Sequence, residues 1–193
     1  MMSTPLYPTF GTVNPKPASN RSNKHRLYIA YYSQGRAQGD DVKFHTALIL
    51  APKNPDPRKV QTWRYHVKNV DNDGDDMWIY EGKPTMNSDQ RIEAMTLLCK
   101  VDDVNVSGLG ISMLLREIEV LQYERRWSSR HWVFAALQLL VERGVIPQLH
   151  MGAKSIWQNG YQFTKSVQNT NYPFSVPTCD ITGKEVKSEM TWT

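Results

Sequence analysis

Apolar and polar residues alternate with turn-forming residues along the first half of the chain in a way that predicts strands. Segments 27–33 (LYIAYYS) and 42–52 (VKFHTALILAP) are rich in aliphatic and aromatic residues, and each is followed by a stretch containing Gly or Pro. Segment 60–70 predicts a third strand, and the polar turn at 72–76 (NDGDD) leads to a fourth, short strand at 77–81. The apolar residues of segment 91–101 fit the periodicity of a helix or of a strand, and we favour a strand.

The second half of the chain has the spacing typical of helices. Segment 104–122 contains apolar residues at helical intervals, namely Leu109, Met113, Leu114, Ile118 and Leu121. The best-defined helix follows Ser128, which can cap its free amides, and is stopped by Gly144 and Pro147. Its predicted core stripe comprises Ser129, Trp132, Val133, Ala136 and Leu140. Segment 155–168 is a candidate for one more helix, and the rest is predicted to be loop.

This order of elements predicts an α+β fold in which an antiparallel sheet packs against helices. The chain has 193 residues, which suits a single domain. We divide it into a disordered basic leader at 1–26, a folded domain at 27–170 and a C-terminal tail at 171–193. No apolar stretch approaches the roughly 20 residues that span a bilayer, and the leader lacks the apolar core of a secretory signal, so we expect a cytoplasmic protein.

The net charge of +4 comes entirely from the leader, which contains Lys16, Arg21, Lys24 and Arg26 and no acidic residue. The remainder of the chain is balanced, so a nucleic-acid partner is disfavoured. Only Cys99 and Cys179 are present, which argues against a disulfide framework. The acidic run at 71–75 lacks the Gly and Glu that a calcium loop needs further along, so we interpret it as a polar turn. No zinc-ligand spacing and no phosphate-binding loop is found, and we predict neither a metal site nor a cofactor.

One pair of residues suggests chemistry. Ser129 lies at a predicted helix start, where unpaired amides and the helix dipole stabilise negative charge on a nucleophile. His45 lies on a predicted strand and could supply the general base. On spacing alone the evidence is weak, because a serine at a helix start is a cap far more often than a nucleophile and a strand histidine is usually only hydrogen-bonded.

The segments LYIAYYS, FHTALIL, RYHVKN and SSRHWVFAALQLL resemble an uncharacterised fungal family. Its members carry His-x-Ala-Leu, then His-Val-Lys-Asn, then Cys-Arg-x-Trp-Val-x-x-Ala-Leu at a helix start. That order is similar to the circularly permuted NlpC-like papain superfamily, which includes lecithin:retinol acyltransferase. The resemblance covers roughly residues 27–145 and implies a permuted papain-like fold.

The resemblance also implies roles for individual residues. His45 would be the general base, and His66 would orient it, with Asn69 as the fallback. Strand alternation places His66 on the same face as Arg64 and Lys68, so a solvated surface histidine stays open as an alternative. Trp127 and Trp132 flank position 129, and together with Asn69 they are candidates for the wall of a substrate pocket.

Position 129 departs from the family pattern, because this chain has serine where the family has cysteine. A thiol can be held as thiolate by a helix terminus and a protonated histidine, whereas a hydroxyl is far too weak an acid. Ser129 could act only if His45 took its proton during attack. A natural serine variant, a degenerate site, and a cysteine deliberately replaced by serine all remain, and we place the engineered or degenerate site first.

The function predicted from these observations is that of a papain-like hydrolase or acyltransferase. It would act on a small-molecule, lipid or peptide acyl substrate through a nucleophile at position 129, with His45 as base. The alternative is a catalytically inactive member that binds a peptide or a small molecule in the same cleft.

Overall fold

The computed structural model describes residues 24–33, 44–72, 75–86, 92–101, 107–124, 126–168, 170, 172 and 174–191. Of residues 71, 72, 75 and 76 it describes the backbone alone. Six strands lie within these residues: β1 (His25–Ser33), β2 (Phe44–Ala51), β3 (Thr62–Asn72), β4 (Asp75–Thr85), β5 (Ile92–Val101) and β6 (Thr178–Cys179). Three helices accompany them: α1 (Gly108–Leu115), α2 (Ser129–Glu142) and α3 (Ala153–Val167). None of these helices has the length and apolar character needed to cross a membrane.

The strands form one sheet in the order β4-β3-β2-β1-β5-β6. Every neighbouring pair is antiparallel except β5 with β6, which run parallel. The fold is therefore α+β with a mostly antiparallel sheet, as the order of elements predicts.

The two faces of the sheet are covered differently. One face packs against the helices and carries the main core, in which Tyr31, Leu48 and Tyr65 of the sheet meet Trp132 and Leu137 of α2. The opposite face is covered in part by the C-terminal segment, whose Val176 and Met190 belong to the buried apolar cluster on that face. The segment 171–193, assigned from sequence as a tail, thus contributes both β6 and core residues to the fold.

Several sequence predictions are confirmed with shifted boundaries. The first three strands, the strand at 92–101 and the helix at 153–167 are present, and β4 is longer than predicted. The predicted core stripe of α2 is buried at all five of its positions. The leader prediction falls mostly outside the described residues, and its last two residues, His25 and Arg26, belong to β1.

The helix predicted within 104–122 is present but shorter than the segment. It spans Gly108–Leu115 and buries Ile111, Ser112 and Leu115. Leu109 and Met113, two of the apolar residues at helical intervals, are exposed, so those intervals do not mark the buried side of the helix.

Two neighbouring strands separate where the candidate site lies. The pairing of β2 with β3 comprises Leu48 with Tyr65, Ile49 with Arg64 and Leu50 with Trp63, whereas β2 pairs with β1 along its whole length. The first residues of β2 therefore lie at a gap in the sheet. The N-terminus of α2, which packs on β2 and β3, meets the sheet at this gap.

Candidate active site

The start of α2 is fixed by a hydrogen bond from its N-cap residue to the side chain of His131. Ser128 is the N-cap residue, in an extended conformation. Its backbone N–H donates to Nδ1 of His131 at 3.1 Å, which satisfies an amide that the helix leaves unpaired. Because Nδ1 accepts this bond, the role of His131 is to cap the helix. Burial together with the nearby Arg130 lowers the pKa of His131. This cap holds Ser129 in the first turn of the helix.

Ser129 is buried, with 4 % of its surface exposed, and its hydroxyl bonds to β2. The backbone N–H of Thr46 donates to Ser129 Oγ at 3.1 Å, and the Thr46 hydroxyl lies 3.3 Å from the same atom. Since β2 has already parted from β3 here, Ser129 Oγ satisfies an amide of the sheet. A negative charge on this atom would meet both the Thr46 N–H and the positive end of the α2 dipole.

His45 precedes Thr46 in β2, and its ring reaches across the gap to β3. His45 Nε2 and His66 Nδ1 are 2.9 Å apart, and their rings meet edge to face with centroids 5.1 Å apart. His45 is half-buried and also packs against the ring of Tyr32 on β1. The sheet therefore brings together His45 and His66, the two histidines selected from the sequence.

For His45 to take the proton of Ser129, the Ser129 hydroxyl has to come within hydrogen-bond reach of a His45 ring nitrogen. No such bond is present among the described residues, since both bonds of Ser129 Oγ run to Thr46, the residue next to His45 in the chain. Transfer of a proton from position 129 to His45 stays a prediction.

His66 is buried, with 7 % of its surface exposed, so it is not the solvated surface histidine that strand alternation left open. Its Nε2 lies 3.1 Å from Oε1 of Glu81, the residue directly opposite it in β4. Burial, only partly offset by the hydrogen bond to Glu81, lowers the pKa of His66 to about 4. His66 is therefore neutral at physiological pH.

Because His66 is neutral, the donor and the acceptor can be assigned in each hydrogen bond between His45, His66 and Glu81. Glu81 accepts the His66 Nε2–H, so His66 Nδ1 carries the lone pair and accepts the His45 Nε2–H. The proton on a neutral His45 then resides on Nε2, and Nδ1 is its basic nitrogen. Burial alone would raise the pKa of Glu81, but hydrogen bonds from Lys68, Lys83 and His66 outweigh it and lower the pKa to about 2.

Three cationic side chains surround Glu81. Lys68 Nζ lies 2.9 Å from Oε2, Lys83 Nζ lies 3.0 Å from Oε1, and Arg64 lies 3.6 Å from Oε1. These residues alternate on adjacent strands, so they project from the same sheet face as His66. They line an open groove of about 470 Å³, whose walls comprise Tyr32, Ser33, His45, Arg64, His66, Lys68, Asn69, Trp78, Glu81 and Lys83.

The aromatic candidates divide between groove and core. Trp132 is fully buried, with its ring centroid 5.6 Å from that of Tyr80, so it belongs to the main core. Trp127 packs edge to face against Trp78, and it is Trp78 that lines the groove. Asn69, predicted as a pocket residue, also lines it.

Sequence reasoning missed Glu81, although a signal was present. An Asp-Gly pair at 73–74 is a strong hairpin signal, and a two-residue turn there would align Asn72 with Asp75 and hence His66 with Glu81. The structure has this register.

The chain belongs to a protein family of unknown function, DUF6914, whose family model matches residues 24–174. The match includes every residue of the candidate site, from Tyr32 to Ser129. No curated protein and no solved structure matches the chain.

Proposed function

We propose that the protein is a hydrolase or acyltransferase of papain-like design that acts by acyl transfer through a nucleophile at position 129. His45 is the general base, and His66 and Glu81 orient it. The observation that carries the proposal is the continuous series of hydrogen bonds from Glu81 through His66 to His45, beside the helix start that holds Ser129. Covalent catalysis uses a base that is oriented by a third group and that comes within hydrogen-bond reach of a helix-borne nucleophile, and two of these three parts, the oriented histidine and the helix start, are adjacent at the sheet.

The proton path follows from the tautomers. His45 Nδ1 takes the proton of the nucleophile as the side-chain atom at position 129 bonds to the acyl carbon. The resulting imidazolium donates through Nε2 to the neutral His66, whose own Nε2–H stays bonded to the Glu81 carboxylate. His45 then gives its proton to the leaving group as that bond breaks, and water or a second substrate takes the acyl group by the reverse sequence.

Whether the nucleophilic atom at position 129 is sulfur or oxygen determines when its proton passes to His45. A thiolate could form before attack, stabilised by the Thr46 N–H and the α2 terminus. The Ser129 hydroxyl keeps its proton until attack, so its reaction depends more strongly on His45. This dependence is the reason why serine at this position would be slow relative to cysteine.

The resemblance to the permuted NlpC-like papain superfamily supports the proposal by the order of its parts. A strand histidine comes first, a second histidine follows on the adjacent strand, and the nucleophile position stands last at a helix start. In this proposal the sheet and α2 form the permuted papain-like arrangement.

The second candidate is a catalytically inactive member that binds a peptide or a small molecule in the groove. The burial of Ser129 favours it, together with the two hydrogen bonds that tie its hydroxyl to Thr46. In that case the hydroxyl links α2 to the sheet and does no chemistry.

The test is to replace Ser129 by cysteine and measure alkylation by iodoacetamide across pH. The new thiol should react faster than Cys99 and Cys179, because burial raises the pKa of each of those thiols to about 11. Its rate should already level off near neutral pH. Adding His45→Ala should slow the reaction and raise its pH midpoint, since the cationic partner is lost.

A matched control is Ser128→Cys, which places a thiol at the same helix start, where the Ser128 hydroxyl lies 3.3 Å from Nδ1 of His131, so its reactivity should not depend on His45. If Ser129→Cys titrates like this control and is indifferent to His45, no activated site exists and the binding function takes first place. A p-nitrophenyl ester supplies the direct test, because acylation of residue 129 detected by mass spectrometry requires a working nucleophile.

A further inference from the structure

Among the described residues, the walls of the groove beside His45 and His66 carry three cationic side chains, those of Arg64, Lys68 and Lys83, and one carboxylate, that of Glu81. The carboxylate lies between the cations and shares its charge among all three of them. The ammonium groups of Lys68 and Lys83 therefore keep a positive potential on the open side of the groove.

The two lysines are placed to meet a ligand. The side chain of Lys68 is 37 % exposed and that of Lys83 is 48 % exposed, whereas Arg64 is only 11 % exposed and lies over the ring of Tyr32. Each ammonium has three N–H donors, and its hydrogen bond to Glu81 uses one of them. Lys68 and Lys83 stand on adjacent strands on opposite sides of Glu81, so an oxygen anion could bridge them from the open side.

The remaining walls indicate the size and character of the ligand. Trp78 and Tyr32 supply aromatic surface, and the volume of about 470 Å³ falls within the range of small-molecule sites. His45 lies in the same groove, so a ligand held by the lysines would be next to the base.

We propose that the substrate is a small molecule with an anionic oxygen group, a carboxylate or a phosphate, that binds Lys68 and Lys83 while its acyl carbon is directed to His45 and position 129. This inference rests on the proposed function for the acyl carbon, but the anion subsite itself does not depend on a working nucleophile. Aromatic contact with Trp78 holds the part of the molecule between the anion and the reacting carbon.

The experiment is a titration of the ¹⁵N-labelled full chain with inorganic phosphate and, separately, with glutarate, at constant ionic strength maintained with sodium chloride. We expect saturable shifts of the His66, Lys68, Glu81 and Lys83 amide signals. The double variant Lys68→Met with Lys83→Met should weaken binding about tenfold, in line with the loss of two partly exposed charge contacts. Lys154→Met is the matched control, since Lys154 is an exposed lysine on α3.

The outcomes separate the sources and the two proposals. Tighter binding of glutarate than of phosphate indicates a carboxylate substrate, and the reverse order indicates a phosphate. Shifts that do not saturate, or an affinity unchanged in the double variant, overturn the subsite. If the subsite binds its anion while the Ser129→Cys thiol is not activated, the proposed chemistry fails and the subsite stands as that of a binding protein.

Discussion

Acidification should destabilise the protein through His66 before any carboxylate of the site titrates. Burial, opposed by the Glu81 hydrogen bond, lowers the pKa of His66 from 6.5 to about 4. In the unfolded chain this histidine binds a proton near pH 6.5, whereas in the folded protein it stays neutral down to about pH 4. The unfolded state therefore binds more protons in this window, and the free energy of unfolding falls as the pH is lowered.

The magnitude follows from the width of the window. The contribution of neutral His66 to the free energy of unfolding is complete above pH 6.5 and is lost progressively as the pH falls to about 4. At about 1.4 kcal/mol per pKa unit, His66 accounts for a loss of up to roughly 3 kcal/mol. The lowered pKa of Glu81 adds a loss of the same sign, but only as the pH falls below about 4.5 towards 2. Measurements above pH 4.5 therefore separate the contribution of His66 from that of Glu81.

The assay is urea unfolding at several pH values between 4.5 and 7.5, with the free energy of unfolding extrapolated to water. The control is His66→Gln, which cannot titrate, and the compared quantity is the pH slope and not the absolute stability. The pKa of His131 is also lowered, but that contribution is common to both proteins. Equal slopes for the two proteins would refute the neutral His66, and with it the direction of the hydrogen bonds through His45.

Three further changes test the packing that positions the site, each by the free energy of unfolding in urea. Gly160→Ala should cost about 1 to 3 kcal/mol, because the added Cβ would overlap the buried Tyr31 hydroxyl, and a neutral effect would mean that α3 can move away from the sheet. Trp132→Ala should cost about 3 to 5 kcal/mol as a fully buried residue, and a loss below 1 kcal/mol would contradict its place in the core. Ser129→Ala should cost about 1 to 3 kcal/mol by leaving the buried Thr46 N–H without its acceptor, and unchanged stability would show that this bond contributes nothing.

The parts of the fold that could be predicted from sequence are those in which local pattern and burial agree. Helix α2 has a cap residue, an apolar stripe and a terminating glycine, and all of these signals indicate the same element. The first three strands are similarly bounded by turn residues. These elements needed no knowledge of their partners.

The pattern failed where tertiary contacts select the buried face. Helix α1 buries Ser112, whose hydroxyl bonds to Tyr80, in preference to the more apolar Met113. That choice depends on the surface that β4 presents, since the Tyr80 hydroxyl also donates to the Ser112 carbonyl. Apolar spacing alone does not contain this information.

His66 illustrates a second limit. Alternation correctly placed it on one strand face with Arg64 and Lys68, but those charges suggested solvent. The missing partner was Glu81, which forms ion pairs with Arg64 and Lys68 and accepts a hydrogen bond from His66, so the face can be partly buried. A charged strand face can be partly buried when an opposite charge is paired with it, and pairing is a property of the register.

Serine at position 129 suits the hydrogen bonds to Thr46 better than it suits catalysis with His45. A hydroxyl can accept a hydrogen bond from the Thr46 N–H and form a second one with the Thr46 hydroxyl, and these are the two hydrogen bonds of the Ser129 side chain. A thiolate could only accept, so it would gain from the Thr46 N–H and the helix terminus and also from a protonated His45. The same backbone therefore stabilises α2 against β2 when the side chain is serine, and it would stabilise a reactive anion when the side chain is cysteine. Since the hydrogen bonds from Glu81 through His66 to His45 are present in a chain that carries the hydroxyl, the sheet sets the position of His45, and this position does not depend on a cysteine at residue 129.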